Sequence, residues 1–307
     1  MPLEPQELLE QYRQRNSHHR PILILAPVQR CGSTLLQRAI NAGNEAIIFG
    51  ENFIFMEKFP QLIGGTLHDF VLKQNTTQNV AKELQAGNRG IDATALFPDY
   101  ARYARLQMDF FSQLLDFYSN EAETYSVKHW GIKSQIVDRK GMHNCISMIP
   151  NARIVVIYRD LIKAARSYRA RWPHLLRSER QFADFGKRWQ ENMRFLLNIG
   201  RPKLIIRYEE LTKNLNQHLP LIEQHLEIRI SREIFNSRIN VHHGDKQHGM
   251  RNDISQSEHG LYVPPAPLNT VQQSALLTHA REVYEQLEYQ APPVTAPKTI
   301  SASPTQQ

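Results

Sequence analysis

"ILILAPVQRCGSTLLQRAI" (residues 22–40) sets a bounded apolar run against a short loop holding Arg30, Gly32, Ser33 and Thr34, and ends in apolar residues at helical spacing. With Pro21 in front of it, the run reads as a buried strand through Ala26, and Leu35, Leu36, Ala39 and Ile40 mark one face of a helix. A glycine-containing loop in that place turns backbone N–H groups and the positive end of a helix dipole towards an anion. Ser33 and Thr34 add hydroxyl donors, and Arg30 adds a charge. The ATP and GTP pattern G-x-x-x-x-G-K-[ST] is not met, because Ala26 or Pro27 stands near its first glycine and no lysine follows Gly32. A cysteine phosphatase loop, whose arginine closes the anion cradle six residues after the nucleophile, is not met either. That position is Gln37, and Arg38 lies one too far. Cys31 then reads as a small residue filling a tight turn, with no local acid or base to make it a nucleophile.

Outward from this loop, "EAIIFG" (45–50) reads as a second short strand with Glu51 just past it. Residues 66–86 and 99–118 carry helical periodicity around the breaker "AGNRG", which predicts a helical insert, about 54–118, beside a sheet. "YSVKHWGIKS" (125–134) and "ARIVVIYRD" (152–160) read as strands that each lead into a helix, and "KLIIRYEEL" (203–211) as a further strand-to-helix junction. Strands alternating with helices predict an α/β fold of three layers, a mainly parallel sheet flanked by helices, whose ligands sit beyond the C-terminal ends of the strands. Arg30, Glu51, Lys133, Arg159 and Tyr208 are all expected at such ends. The expected organisation is a polar helical segment over 1–20, with a short amphipathic helix at 6–15. One domain follows over 21–290, then a Pro-rich tail, 291–307, too polar to order itself.

At 307 residues and 41% hydrophobic content the chain can bury a sizeable core. A formal charge of +7 favours an anionic ligand, but the basic residues are not interleaved with stacking aromatics as a nucleic-acid groove needs. Two cysteines, Cys31 and Cys145, form no zinc or disulfide framework and fit a reducing cytoplasm. The N-terminal stretch lacks the apolar core of a signal peptide, and no apolar run is long enough to span a membrane. His18 with His19, and His242 with His243, have no carboxylate partner in sequence and no i, i+4 spacing, so they read as solvated loop residues and not metal ligands.

"QRCGSTLLQRAINAG" resembles the 5′-phosphosulfate loop of the sulfotransferase family, where a basic residue precedes Ser/Thr-Gly-Ser/Thr-Thr. Cys31 departs from that pattern, which costs one hydroxyl and leaves the backbone cradle. "RIVVIYRDLIKAARSYRARW" (153–172) resembles the family's 3′-phosphate signature, with Arg159 at the end of a strand and Ser167 on the following helix. Two helical turns separate the pair, and Arg171, one turn beyond Ser167, shares its face as a third candidate contact. The alternative is a buried strand followed by a solvated basic helix, since Arg166 and Arg169 also crowd the region. The resemblance spans residues 21–230, and Tyr208 matches a residue near the adenine or 3′-phosphate. "HHGDKQHGMRND" (242–253), with Arg251, is a candidate for the loop covering the nucleotide.

The resemblance implies a P-loop-like fold and 3′-phosphoadenosine 5′-phosphosulfate (PAPS) as donor. A sulfuryl group would pass to a hydroxyl or amine, with 3′-phosphoadenosine 5′-phosphate (PAP) as product. Nucleotide contacts fall on Arg30, Cys31, Gly32, Ser33, Thr34, Arg159, Ser167, Arg171 and Tyr208. Arg30 is implied to stabilise the leaving group, Lys133 to lie near the transferred group, and Glu51 to be the base, as in the tyrosylprotein and some bacterial branches. Apolar neighbours Phe49 and Phe53 would suit Glu51 to that task, since burial disfavours a charged carboxylate. His129 is the alternative base. The sulfuryl group carries less charge than a phosphoryl group, so the reaction requires no metal. A small molecule, a carbohydrate or a peptide are all candidate acceptors, with specificity expected in the insert. The competing readings are a non-catalytic nucleotide- or anion-binding protein of the same fold and an ATP-dependent small-molecule kinase.

Overall fold

The computed structural model describes residues 4–88, 90–92, 94, 96–236 and 265–291. Described residues within 4–27, 31–158 and 198–236 form one compact unit, and those within 28–30, 159–197 and 265–291 a second.

The first unit is built on a parallel sheet of β1 (Ile22–Ala26), β2 (Ala46–Phe49), β3 (His129–Gln135), β4 (Arg153–Tyr158) and β5 (Lys203–Arg207), in the order β2-β3-β1-β4-β5. Every residue of β1 and β4 is buried. These two strands are unbroken apolar runs, except for Arg153, because a central parallel strand is covered on both faces. The edge strands β2 and β5 are only partly buried. From β1 the chain goes out to β2, returns to β3 beside β1, then crosses to β4 on the other side. The order thus reverses at β1, and in open α/β sheets the ligand crevice lies outside the strand ends at such a reversal. The run 22–26 therefore positions the loop that follows it.

Before the sheet, α1 (Pro5–Arg15) covers the expected 6–15 and continues into a 3₁₀ turn, Asn16–His18. Helix α2 (Ser33–Asn41) buries Leu36, Ala39 and Ile40. On its other side Gln37 donates to the Ile48 carbonyl at 2.9 Å and Asn41 accepts from the Ile48 amide at 2.8 Å, fastening the edge strand β2. The insert is longer than its periodicity suggests. A π-helical turn, Ile54–Lys58, leads into α3 (Phe59–Gln85), where Pro60 suits the first turn, and α4 runs Tyr100–Thr124. Helix α4 ends at Thr124, a turn follows in which Ser126 takes a left-handed φ of 56°, and β3 begins only at His129, inside the stretch expected as a strand from 125. Phe55 stacks on Phe111 at 5.2 Å and Tyr118 on Trp130 at 5.3 Å, joining the insert to β3. Helices α5 (Arg139–Met148), α8 (Tyr208–Lys213), α9 (Leu215–Leu226) and α10 (Glu233–Asn236) complete this unit.

The second unit contains α6 (Leu161–Arg171), α7 (Glu179–Leu197) and α11 (Thr270–Gln286). Gly186 lets α7 and α11 meet, since a Cβ there would fall 1.9 Å from the Leu276 carbonyl oxygen. Trp189 and Tyr284 pack edge to face beside it, 6.2 Å between centroids. Because the obstacle is backbone, which cannot rotate aside, Gly186→Ala is expected to cost about 1–3 kcal/mol. A lowered thermal denaturation midpoint would show it, and an unchanged one would disprove the close approach.

The loop 242–253, Arg251, His242, His243 and the tail from 292 lie outside the described residues. Among the described residues no helix is long and apolar enough to cross a membrane.

Candidate active site

In the first unit, three expected residues meet. Lys133 extends from β3, where it pairs in register with Ile24, and its ammonium lies 3.0 Å from Glu51 Oε1 and 3.4 Å from Thr34 Oγ1. Lys133 was expected beyond a strand end; instead β3 continues to Gln135, and the lysine is 9% exposed. A lysine so buried needs an anion and a hydroxyl around its ammonium, and Glu51 and Thr34 provide them. Thr34 comes from the first turn of α2 and Glu51 from the segment after β2, so two parallel connections deliver the partners.

The environment of Glu51 differs from the expected apolar cushion. Phe49 packs on Tyr118 at 5.2 Å, and the carboxylate, about a third exposed, has the lysine as its partner. The segment after Glu51 is anchored by Asn52, which accepts from the Phe55 amide at 3.0 Å and donates to the Tyr118 hydroxyl at 2.6 Å. Glu57, fully buried, accepts from the backbone amides of Val137 and Asp138 just past β3. Burial raises its pKa despite those two donors. Sequence reasoning missed both anchors: their partners lie 66 and about 80 residues away, and no local pattern announces them.

At the loop, Gly32 has a φ of 98° and forms the N-cap of α2. A Cβ on it would lie 2.2 Å from Cδ2 of Tyr208, the first residue of α8, so the tyrosine ring covers the glycine directly. Both the positive φ and the ring demand glycine. Cys31 is wholly buried, as a residue filling the turn would be. Gly32→Ala is expected to push Tyr208 aside and to cost about 1–2 kcal/mol of stability, the order of the strain of a non-glycine residue at positive φ. A lowered thermal denaturation midpoint would show it, and an unchanged one would refute the close contact.

In the second unit, Arg30 adopts a left-handed φ of 70° and donates from Nε to Ser167 Oγ at 3.0 Å. The Arg159 guanidinium donates to the Arg30 carbonyl at 3.3 Å. The fold thus brings Arg30, Arg159 and Ser167 into one cluster, held by a backbone conformation that costs an arginine about 1–2 kcal/mol. Asp160 supports it by capping α6 at the Lys163 amide, 2.8 Å, while accepting from the buried Tyr284 hydroxyl at 2.7 Å. The Arg171 guanidinium lies over the Trp172 ring at 5.9 Å. The basic helix is not a solvated face: Arg166 donates to the Pro265 carbonyl at 2.5 Å and Arg169 to Gln272 Oε1 at 2.9 Å.

His129 does not occupy a catalytic position. It opens β3 at the N-terminal edge of the sheet, paired with Ala46, and its Nδ1 faces the Arg153 guanidinium at 3.1 Å. Burial first, and Arg153 second, lower its pKa. A separate cavity of about 560 Å³ opens in the insert, lined by Lys58, Gln61, Leu62, Phe97, Tyr100 and Tyr103. Phe97 stacks on Tyr100 at 4.5 Å there.

These clusters sit within a stretch, residues 21–232, that matches the model of the family described as "Sulfotransferase family". The chain belongs to the sulfotransferase family. Among solved structures, the sulfotransferase domain from the Synechococcus PCC 7002 olefin synthase is 15% identical, covering 90% of this chain and 98% of that one, with a TM-score of 0.49. The sulfotransferase domain from the curacin biosynthetic pathway is 16% identical over 89% and 99% of the two chains, TM-score 0.48. Sulfotransferase STF9 from Mycobacterium avium is 13% identical over 94% and 84%, TM-score 0.41. No curated protein matches the chain. Membership rests on the family match, and the parallel sheet agrees with the α/β fold expected.

Proposed function

We propose that this sulfotransferase moves the sulfuryl group of PAPS to a hydroxyl or amine of its acceptor, with Glu51 as general base. The observation that carries the reading is the Thr34–Lys133–Glu51 chain, in which a loop hydroxyl, a buried ammonium and a carboxylate follow one another at 3.4 and 3.0 Å. Sulfuryl transfer needs positive charge where the leaving phosphate oxygen develops negative charge, and a base where the acceptor loses its proton. Lys133 supplies the first and Glu51 the second. The acceptor oxygen or nitrogen bonds to sulfur, the bond from sulfur to the bridging phosphate oxygen breaks, and the acceptor proton passes to Glu51. PAP leaves with the bridging electron pair.

The amides at the start of α2, with Ser33 and Thr34, bind the 5′-phosphosulfate. Arg30 adds charge to the leaving group, while Arg159 and Ser167 bind the 3′-phosphate. Tyr208, over Gly32, borders the nucleotide. Arg171, one helical turn beyond Ser167, is a third contact to the same phosphate. The acceptor is a small molecule, a carbohydrate or a peptide, and the stacked Phe97 and Tyr100 of the insert cavity offer a flat face to a sugar or aromatic ring.

Titration calorimetry of PAP against 5′-AMP and ATP tests the donor. Selective binding of PAP supports it. Preference for ATP with magnesium would favour the kinase reading, and PAP binding without transfer to any acceptor would favour a binding protein.

A further inference from the structure

Away from the candidate active site, the sequence leaves His18 and His19 without a carboxylate, and the fold provides one. Asp116, on α4, brings Oδ1 to 3.1 Å from His19 Nε2 and 3.9 Å from His18 Nε2, and the three ligand atoms lie within 4.8 Å of one another. We propose that His18, His19 and Asp116 bind one divalent transition-metal ion, zinc by its chemistry, which clamps the N-terminal segment to α4.

The hydrogen bonding around the two imidazoles favours a cation over a plain ion pair. His18 Nδ1 lies 2.9 Å from the Arg15 carbonyl oxygen, which can only accept, so the proton sits on Nδ1 in the neutral ring. Its Nε2 then presents a lone pair towards Asp116, and a lone pair facing a carboxylate is repulsive unless a cation stands between them. A histidine whose second nitrogen donates to a backbone carbonyl has the orientation of a metal ligand.

His19 supplies an independent sign. It is 5% exposed, and although Nε2 comes to 3.1 Å of the carboxylate it is aligned for no hydrogen bond. Atoms that share a metal stand about 3–4 Å apart with lone pairs converging on the ion and not on each other.

The rest of the seam leaves this carboxylate to the histidines. Asp109, two turns earlier on α4, is already taken by Arg15 at 2.6 Å and by the Tyr12 hydroxyl. Ser112, on the same face between the two, and Asn16 are buried with side-chain atoms that lack hydrogen-bond partners, so little else holds this end of the seam. Two imidazoles and a carboxylate suit zinc, with cobalt as its spectroscopic substitute, and exposed His18 and Asp116 leave room for water as the remaining ligand.

The test uses full-length protein without a histidine tag, stripped with chelator and then titrated with zinc by calorimetry and with cobalt by visible absorption. One ion per chain is expected, with ligand-field bands of nitrogen- and oxygen-bound cobalt and a raised thermal midpoint in zinc. Asp116→Asn and His18→Gln, both at exposed positions, should each weaken zinc roughly tenfold or more. PAP binding should be unchanged in both, so the outcome is independent of the proposed transfer reaction. Absence of stoichiometric binding, or binding by both variants as tight as that of the unmodified protein, would overturn the site; His19→Gln is secondary because burial puts its folding at risk.

Discussion

Arg159→Ala is expected to lower PAP affinity by roughly 10- to 100-fold while leaving 5′-AMP affinity nearly unchanged, because a lost hydrogen bond to a charged group costs about 1.5–3 kcal/mol. The difference between the two nucleotides isolates the 3′-phosphate, which only PAP carries. Arg159 also donates to the Arg30 carbonyl, and Arg30 holds a left-handed backbone while bonding Ser167. Removing Arg159 therefore frees the turn as well, and turnover should fall beyond what saturating nucleotide restores. Arg159→Lys keeps the charge but not the guanidinium geometry, so it should recover part of the PAP affinity and little of the turnover. Calorimetry with both nucleotides, followed by kcat at saturating donor, reads the two effects. An equal loss for PAP and 5′-AMP would assign Arg159 to the loop alone.

The parallel sheet was legible because β1 and, after Arg153, β4 are unbroken hydrophobic runs, and burial on both faces leaves that mark on a sequence. The spacing of the second motif suggested that Arg159 and Ser167 face one ligand group, but Arg30 was expected at the other phosphate, and its bond to Ser167 is written in neither motif. Lys133 was named but put in the wrong surroundings. "WGIKS" shows a lysine in a strand, but not that Glu51 and Thr34 converge on its ammonium through separate connections. Glu57 and Asn52 were missed because their partners belong to other elements. The same limit explains His18 and His19. Their carboxylate lies 97 residues on, at Asp116, and becomes a neighbour only when α4 packs beside the N-terminal segment. Helix ends failed locally too, since α4 overruns its expected end until Ser126 turns left-handed.

Glu51→Gln is expected to reduce kcat by about 10²–10⁴, the usual contribution of a positioned general base, with PAP affinity largely retained. The amide cannot take the acceptor proton, yet its oxygen can still accept from Lys133. The substitution is thus nearly isosteric and separates proton transfer from nucleotide binding. Lys133→Met makes the complementary cut. It removes positive charge near the leaving group and strands Glu51, so both kcat and PAP affinity should fall. In the Glu51→Gln/Lys133→Met double variant, the kcat loss should be smaller than the product of the single losses. Residues that act through one hydrogen-bonded pair are not additive. Independent multiplication of the two losses would mean that the 3.0 Å contact is not used in the reaction. Full kcat for Glu51→Gln at every pH would remove Glu51 as base. His129 would not inherit the role, since it stands at the opposite end of β3 against Arg153. The proton would then have to pass to a group outside this carboxylate–lysine pair.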